Sequence, residues 1–389
     1  MRSRPDGIDL LIVLSGDFGE LGMARCFVTG QPFAERVRMV APASLRPGFS
    51  PGERKVSFYS NELELMDVIR TVAADVVMLF SGYLLAANGP LSIGAIQRLV
   101  RSVQAESAVV TSDPLIGLAG KLRSSMLDFG RSGIHRSSVW DHVVAPARSH
   151  LTARHFRRVH DALRGIAHLY PGPMGVDVGG ASRLSFFNRA MLSGGPSSDV
   201  RDLMAGAAPV WLFLLSEIDL RIQENLYGSE FYRCVHDRMA DAQRQGRQPI
   251  LIAPRRLLNA VSAVSDDSPR ARMLTSLPYT EFVATLLGAE SVFYWNVFSF
   301  STLLRIVAGK AVFFFDRGHL SRLIRPYYDL AADCYLAGYR PTILNHEASL
   351  TSDSMEEQMR QLRHQTARIA AYHARAAEPS AVLDLLSVP

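Results

Sequence analysis

Residues 277–316 read LPYTEFVATLLGAESVFYWNVFSFSTLLRIVAGKAVFFFD. YTEFVATLLGA has helical spacing, ESVFYWN is a short apolar run with aromatic and β-branched residues, SFSTLLRIVAG opens on hydroxyl residues and returns to helical spacing, and KAVFFFD is a second apolar run. Helix, strand, helix and strand in forty residues, with no polar alternation in the strands, predict a parallel sheet buried on both faces.

The same alternation extends outward. Upstream lie the predicted strands PVWLFLLSEI, QPILIAP and ARMLTSL and the helix GSEFYRCVHDRMADAQRQG. Downstream, after a looser stretch, SMEEQMRQLRHQTARIAAYHARA predicts a long helix, followed by a tail containing Pro379 and Pro389. The N-terminal half repeats the theme. DLLIVLSG, RVRMVAP, DVVMLFSGY, SAVVTSDPLIG, HVVAPA and GIAHLYPGP read as strands, with helices between several of them, and HFRRVHDALRG reads as a solvated helix. From Met174 to Gly206 glycine, serine and proline break the pattern. The expected organisation is an α/β chain of two Rossmann-like, doubly wound parallel-sheet domains facing across a cleft. Residues 1–175 form the first domain, 176–206 the connection and 207–345 the second domain, while 346–389 hold a closing helix that crosses back, and a tail. Ligands of such sheets bind outside the carboxyl ends of the strands.

Composition excludes several classes. Apolar residues make up 48% and charged residues 20%, as in an ordinary globular protein. The net charge is +5, supplied almost wholly by arginines spread along the chain among acids, so no nucleic-acid partner is expected. The three cysteines, Cys26, Cys234 and Cys334, form no metal-ligand spacing, so neither a metal nor a disulfide framework is expected. No apolar run is long enough to span a bilayer. A cytoplasmic protein is expected, with peripheral membrane contact left open.

The order of segments over 277–316 resembles the nucleotide-sugar half of GT-B glycosyltransferases, with Gly309-Lys310-Ala311 where that family usually has Gly-x-Pro. The loop SGDFGELGMA (15–24) is similar to the first loop of inverting GT-B enzymes such as the protein-arginine rhamnosyltransferases, whose aromatic-Gly-acid-aliphatic-Gly turn places Glu20 as general base. The resemblance implies a metal-independent, inverting transfer of sugar from a nucleotide-diphosphate donor to an unidentified acceptor, with no cofactor. One departure stands out. Leu304 and Arg305 occupy the helix where many of these enzymes carry a ribose-binding glutamate.

Inverting transfer needs an ionised base, for which Glu20, Asp17 and Asp113 are candidates; the alternative for the first two is helix capping, and for Asp113 an Asp-Pro turn. It also needs groups that stabilise a departing diphosphate. Ser299, Ser301 and Thr302 at a helix start, Asn296 before them, Arg255 and Arg256 after QPILIAP, and Asp316 and His319 after AVFFF are the candidates. Two alternatives share this layout: a UDP-sugar 2-epimerase-like enzyme, and a GT-B scaffold that binds a partner without catalysis.

Overall fold

Residues Leu10–Leu14 form the first strand, β1, and all five side chains are buried. A strand covered on both faces has no polar side, so it is a continuous apolar run. The same logic forms β4 (Val76–Phe80) and β8 (Val210–Leu214). The computed structural model of the chain describes residues 9–16, 18–50, 52–53, 55–87, 91–114, 117–126, 139–173, 183–192, 208–264, 271–297, 299–316, 320 and 325–387.

Two compact units result. One comprises Met1–Ser124, His150–Ser193 and Ala371–Pro389, and the other Ser125–Ser149 and Gly194–Ala370. In the first unit β1 and β4 are joined by β2 (Val37–Pro42), β3 (Val56–Tyr59), β5 (Ala108–Ser112), β6 (Ala167–Pro171) and β7 (Arg183–Phe186). They form a seven-stranded parallel sheet in the order β3-β2-β1-β4-β5-β6-β7. In the second unit β8 is joined by β9 (Gln248–Ile252), β10 (Arg272–Leu274), β11 (Ser291–Tyr294), β12 (Val312–Asp316) and β13 (Ile343–Asn345). Their order, β10-β9-β8-β11-β12-β13, is again wholly parallel. Both sheets therefore start at a central strand, run outward one way, and reverse at the fourth strand. This is the Rossmann order, with its switch point between β1 and β4 in one unit and between β8 and β11 in the other.

Helices α1 (Phe18–Val28), α2 (Glu62–Val72), α3 (Gly82–Ala87), α4 (Ile93–Gln104) and α5 (Val139–Leu163) belong to the N-terminal half. Leu65 and Ile69 of α2, Ile96 and Leu99 of α4, and Val159 and Leu163 of α5 share one buried cluster with Leu11, Val13, Val77 and Leu79 of the sheet. Helices α6 (Glu217–Tyr227), α7 (Glu230–Arg244), α8 (Arg255–Ser262), α9 (Tyr279–Gly288), α10 (Phe300–Val307), α11 (Arg325–Tyr335) and α12 (Ser352–His373) follow, and α13 (Pro379–Ser387) is last.

Four expectations are corrected. HVVAPA (142–147) lies inside α5 and is not a strand. The proline-containing tail forms α13, with Pro379 at its first position, where a fixed φ and a missing N–H cost nothing. PVWLFLLSEI is a strand only to Leu214, and its last residues open a helix, α6, started by a capping box between Ser216 and Asp219. The looser stretch before α12 contains β13, whose edge Gln358 of α12 splints by accepting the Thr342 N–H and donating to the Val312 carbonyl.

Candidate functional site

In the first unit the chain leaves β1 at Ser15 and turns at Gly16, whose φ of +126° is closed to other residues, before entering α1. Glu20, in the first turn of α1, is 5% exposed, and its side chain folds back over the strand tips. One oxygen, Oε2, accepts the Ser15 N–H at 3.0 Å and also the Ser15 hydroxyl. The other, Oε1, accepts the backbone N–H of Ser81, just beyond β4. Leu14 and Phe80 are paired at the ends of these two strands. The carboxylate thus bridges the carboxyl ends of β1 and β4, the switch point of the sheet, where ligands of such folds bind. Tyr59, at the end of β3, donates its hydroxyl to the Leu14 carbonyl at 2.7 Å, and burial with the neighbouring Glu20 charge raises its pKa.

Phe18, one residue from the turn, is 48% exposed beside Gly48. Asp113, just after β5, is buried and accepts the Gly117 N–H at 2.9 Å, which is the turn geometry its proline neighbour suggests. Asp17 lies outside the described residues.

Behind Ser81 sits a second polar group. The Ser81 hydroxyl accepts the Tyr83 N–H at 3.1 Å, opening α3. The Tyr83 hydroxyl lies 2.8 Å from both His160 Nδ1 and His168 Nε2. His168 Nδ1 is 3.1 Å from the Ile166 carbonyl, so that nitrogen carries the proton and Nε2 accepts from Tyr83. Tyr83 then accepts from His160. Burial lowers the His168 pKa to about 4 and lowers that of His160 as well.

In the second unit Ser299 precedes α10, which follows β11 at the corresponding switch point. The Ser299 and Ser301 hydroxyls are 2.5 Å apart, and the Tyr294 hydroxyl is 2.9 Å from Ser301. Ser299 makes no side-chain cap bond to the helix. Thr302 is 3% exposed, with its hydroxyl beside that of Tyr294. Ser299 and Thr302 line a small surface hollow together with Val297, Phe314, Tyr328 and Leu336, among others. Free N–H groups of a helix start, with hydroxyls beside them, suit an anion.

Strand order separates the other candidates. Asn296, half-buried, stands in the same β11–α10 loop as Ser299. Asp316 ends β12, one strand from β11, and its Oδ1 accepts the Leu320 N–H at 2.9 Å. Arg255 and Arg256 begin α8 after β9, two strands from β11, or roughly 10 Å at the usual spacing. Both are exposed, and Arg256 is held by Glu224 at 2.7 Å and Glu217 at 3.5 Å, both on α6. His319 lies outside the described residues.

Arg305 has a structural task. It is fully buried, and Nε, Nη1 and Nη2 donate to the carbonyls of Ala311, Leu286 and Glu290 at 2.6–2.7 Å. Burial pushes the guanidinium down to about 10, still charged at neutral pH. It ties the end of α9, the start of β11 and the turn into β12 to α10.

Ser15, Ser81 and Tyr294 are the site residues that the sequence reading passes over. Both β1 and β4 end in Ser-Gly, and that repeated dipeptide is the signal that marks the pair. Among the described residues no group of three or more His, Cys, Asp or Glu side chains is arranged for a metal, and no helix is long and apolar enough to cross a membrane.

No family model and no curated protein matches the sequence. Solved structures match over nearly its whole length. The glycosyltransferase VinC in complex with dTDP shares 12% identity at a TM-score of 0.50, covering 97% of this chain and 98% of that one. UDP-glucose:anthocyanidin 3-O-glucosyltransferase in complex with UDP shares 9% at 0.53, covering 98% of each. The UDP-GlcNAc 2-epimerase of Methanocaldococcus jannaschii, with UDP-GlcNAc and UDP, shares 10% at 0.52, covering 98% and 100%. What is shared at such identities is the fold. The chain shares with these enzymes a fold of two Rossmann-like α/β units.

Proposed function

We propose that this protein is an inverting, metal-independent glycosyltransferase that moves a sugar from a nucleotide-diphosphate donor to an acceptor hydroxyl or similar nucleophile. The acceptor loses its proton to Glu20 as its nucleophilic atom bonds to the anomeric carbon. The bond from that carbon to the phosphate oxygen breaks, and the nucleoside diphosphate leaves with the electron pair. Asp17 and Asp113 are the other candidate acids. The start of α10, with Ser299, Ser301 and Thr302, stabilises the departing diphosphate in place of a metal. Asn296 and Asp316 flank that cradle, His319 follows it in sequence, and Arg255 and Arg256 stand further out.

The observation that carries this reading is positional. An acid fixed by three donors occupies the switch point of one sheet, and a hydroxyl-rich helix start occupies the switch point of the other. Incubation with a panel of uridine, guanosine and thymidine diphosphate sugars, read by mass spectrometry for nucleoside diphosphate release, tests it. Release stimulated by an acceptor extract supports transfer. Conversion of the donor sugar alone, without release, supports the 2-epimerase alternative.

The scaffold alternative has one observation in its favour. Arg305 and Leu304 are buried in packing, so α10 presents no acid at the position where many of these enzymes hold the ribose. Saturable nucleotide binding without turnover of any donor would favour it.

A further inference from the structure

From His150 to Leu163, with Arg164 directly after its end, α5 separates cleanly by face. Ala153, Val159, His160 and Leu163 are buried, while Leu151, Arg154, Arg157, Arg158, Asp161 and Arg164 are exposed. At 100° per residue the exposed set spans an arc of roughly 140° and runs about 20 Å along the axis. Leu151 is 62% exposed on that arc.

The four arginines make no ion pair or hydrogen bond among the described residues. Some exposed or half-exposed arginines elsewhere are engaged, as Arg25 is by Glu53, Arg189 by Glu378, Arg256 by Glu224 and Arg340 by Asp333, and the others, such as Arg70, Arg101, Arg233 and Arg363, are dispersed over separate elements and do not share one face. The segment carrying Lys121 and Arg123, both exposed, abuts the same helix, since Gly120 lies so close to His160 that a Cβ there would stand 2.5 Å from the ring. Among the described residues, four arginines without an ion-pair partner therefore share this face with one acid, Asp161, although the arginines of the chain as a whole are scattered.

We propose that the outer face of α5 docks on an anionic phospholipid surface. A cationic helix face with an apolar side chain among its charges matches such a surface in charge and in the place it gives Leu151. A nucleic-acid backbone would use the arginines and leave the leucine in water. The inference does not rest on the donor site.

The test is co-sedimentation of the full chain with phosphatidylcholine vesicles, with and without phosphatidylglycerol, at low and high salt. Each cation near an acidic surface strengthens binding about fivefold, so R154Q/R157Q/R158Q/R164Q should weaken partitioning into anionic vesicles at least about thirtyfold. A variant of equal net charge, R70Q/R101Q/R233Q/R363Q, should bind like the wild type. High salt should release the wild type, and neutral vesicles should not bind it. Three results would overturn the inference: no wild-type binding to anionic vesicles, equal loss in the two quadruple variants, or tighter binding to duplex DNA or RNA than to vesicles under the same conditions.

Discussion

The carboxylate of Glu20 accepts the backbone N–H of Ser81, a residue 61 positions further along the chain, and so ties the tip of β1 to the tip of β4. The same side chain that is placed as the base is thus also a clasp at the sheet's switch point. Capping and catalysis, opposed in the sequence, are compatible in the structure, because the clasp fixes the acid where ligands of such sheets bind.

Glu20 substitutions should therefore show two effects. Glu20→Ala leaves the buried Ser81 N–H and the Ser15 hydroxyl without their acceptor, at about 1–3 kcal/mol for each group, while the Ser15 N–H keeps the Phe80 carbonyl. Glu20→Gln keeps the shape, loses the charge and one acceptor, and should cost less stability while lowering turnover by at least about a hundredfold. Melting curves and donor turnover on both variants check this. A Glu20→Gln protein with unchanged turnover would remove Glu20 as base.

Arg305→Met should destabilise the second unit. Three short charge-assisted bonds to carbonyls vanish, and those buried carbonyls lose their donor, for a cost of several kcal/mol, on the order of 4. Calorimetry should show the loss, and hydrogen exchange should rise in β11 and β12 while β1 and β4 keep their protection.

Acid should loosen the first unit around His168. Its pKa falls from 6.5 to about 4 on burial, so between those values the unfolded chain binds more protons than the native one. Stability rises with pH across that window, is complete above 6.5, and is lost as pH falls toward 4, by about 3 kcal/mol in all. His160, also lowered, acts in the same direction. Hydrogen exchange of peptides covering β6 at pH 7, 5.5 and 4.5, corrected for intrinsic rates, reads the effect, and His168→Leu should flatten the dependence.

Both sheets were legible wherever a strand is buried on two faces. Leu10–Leu14 and the first four residues of β12, 312–315, are unbroken apolar runs, and parallel burial is what makes them so. The misses follow from the opposite case. β3 is a four-residue strand at the sheet edge with two half-buried positions and one exposed, so it carries little periodic signal. HVVAPA has strand-like valines and a proline, yet tertiary context keeps it helical within α5. The loop holding Glu20 and the helix start at Ser299 were readable because their signals are local turn and cap chemistry. The partners were not. Ser81, and the union of Tyr83 with His160 and His168, 77 and 85 residues away, depend on which strands become neighbours.

The most direct measurement is calorimetric titration of UDP, GDP and dTDP into the wild type, Glu20→Gln and the double variant Ser299→Ala/Thr302→Val. A diphosphate seated on the start of α10 predicts saturable binding of at least one nucleotide, an unchanged Kd in Glu20→Gln, and a Kd weakened about tenfold or more in the double variant, as expected for one or two lost hydrogen bonds to a charged group. Absence of saturable binding by the folded wild-type protein, or an equal Kd in the double variant, would contradict it.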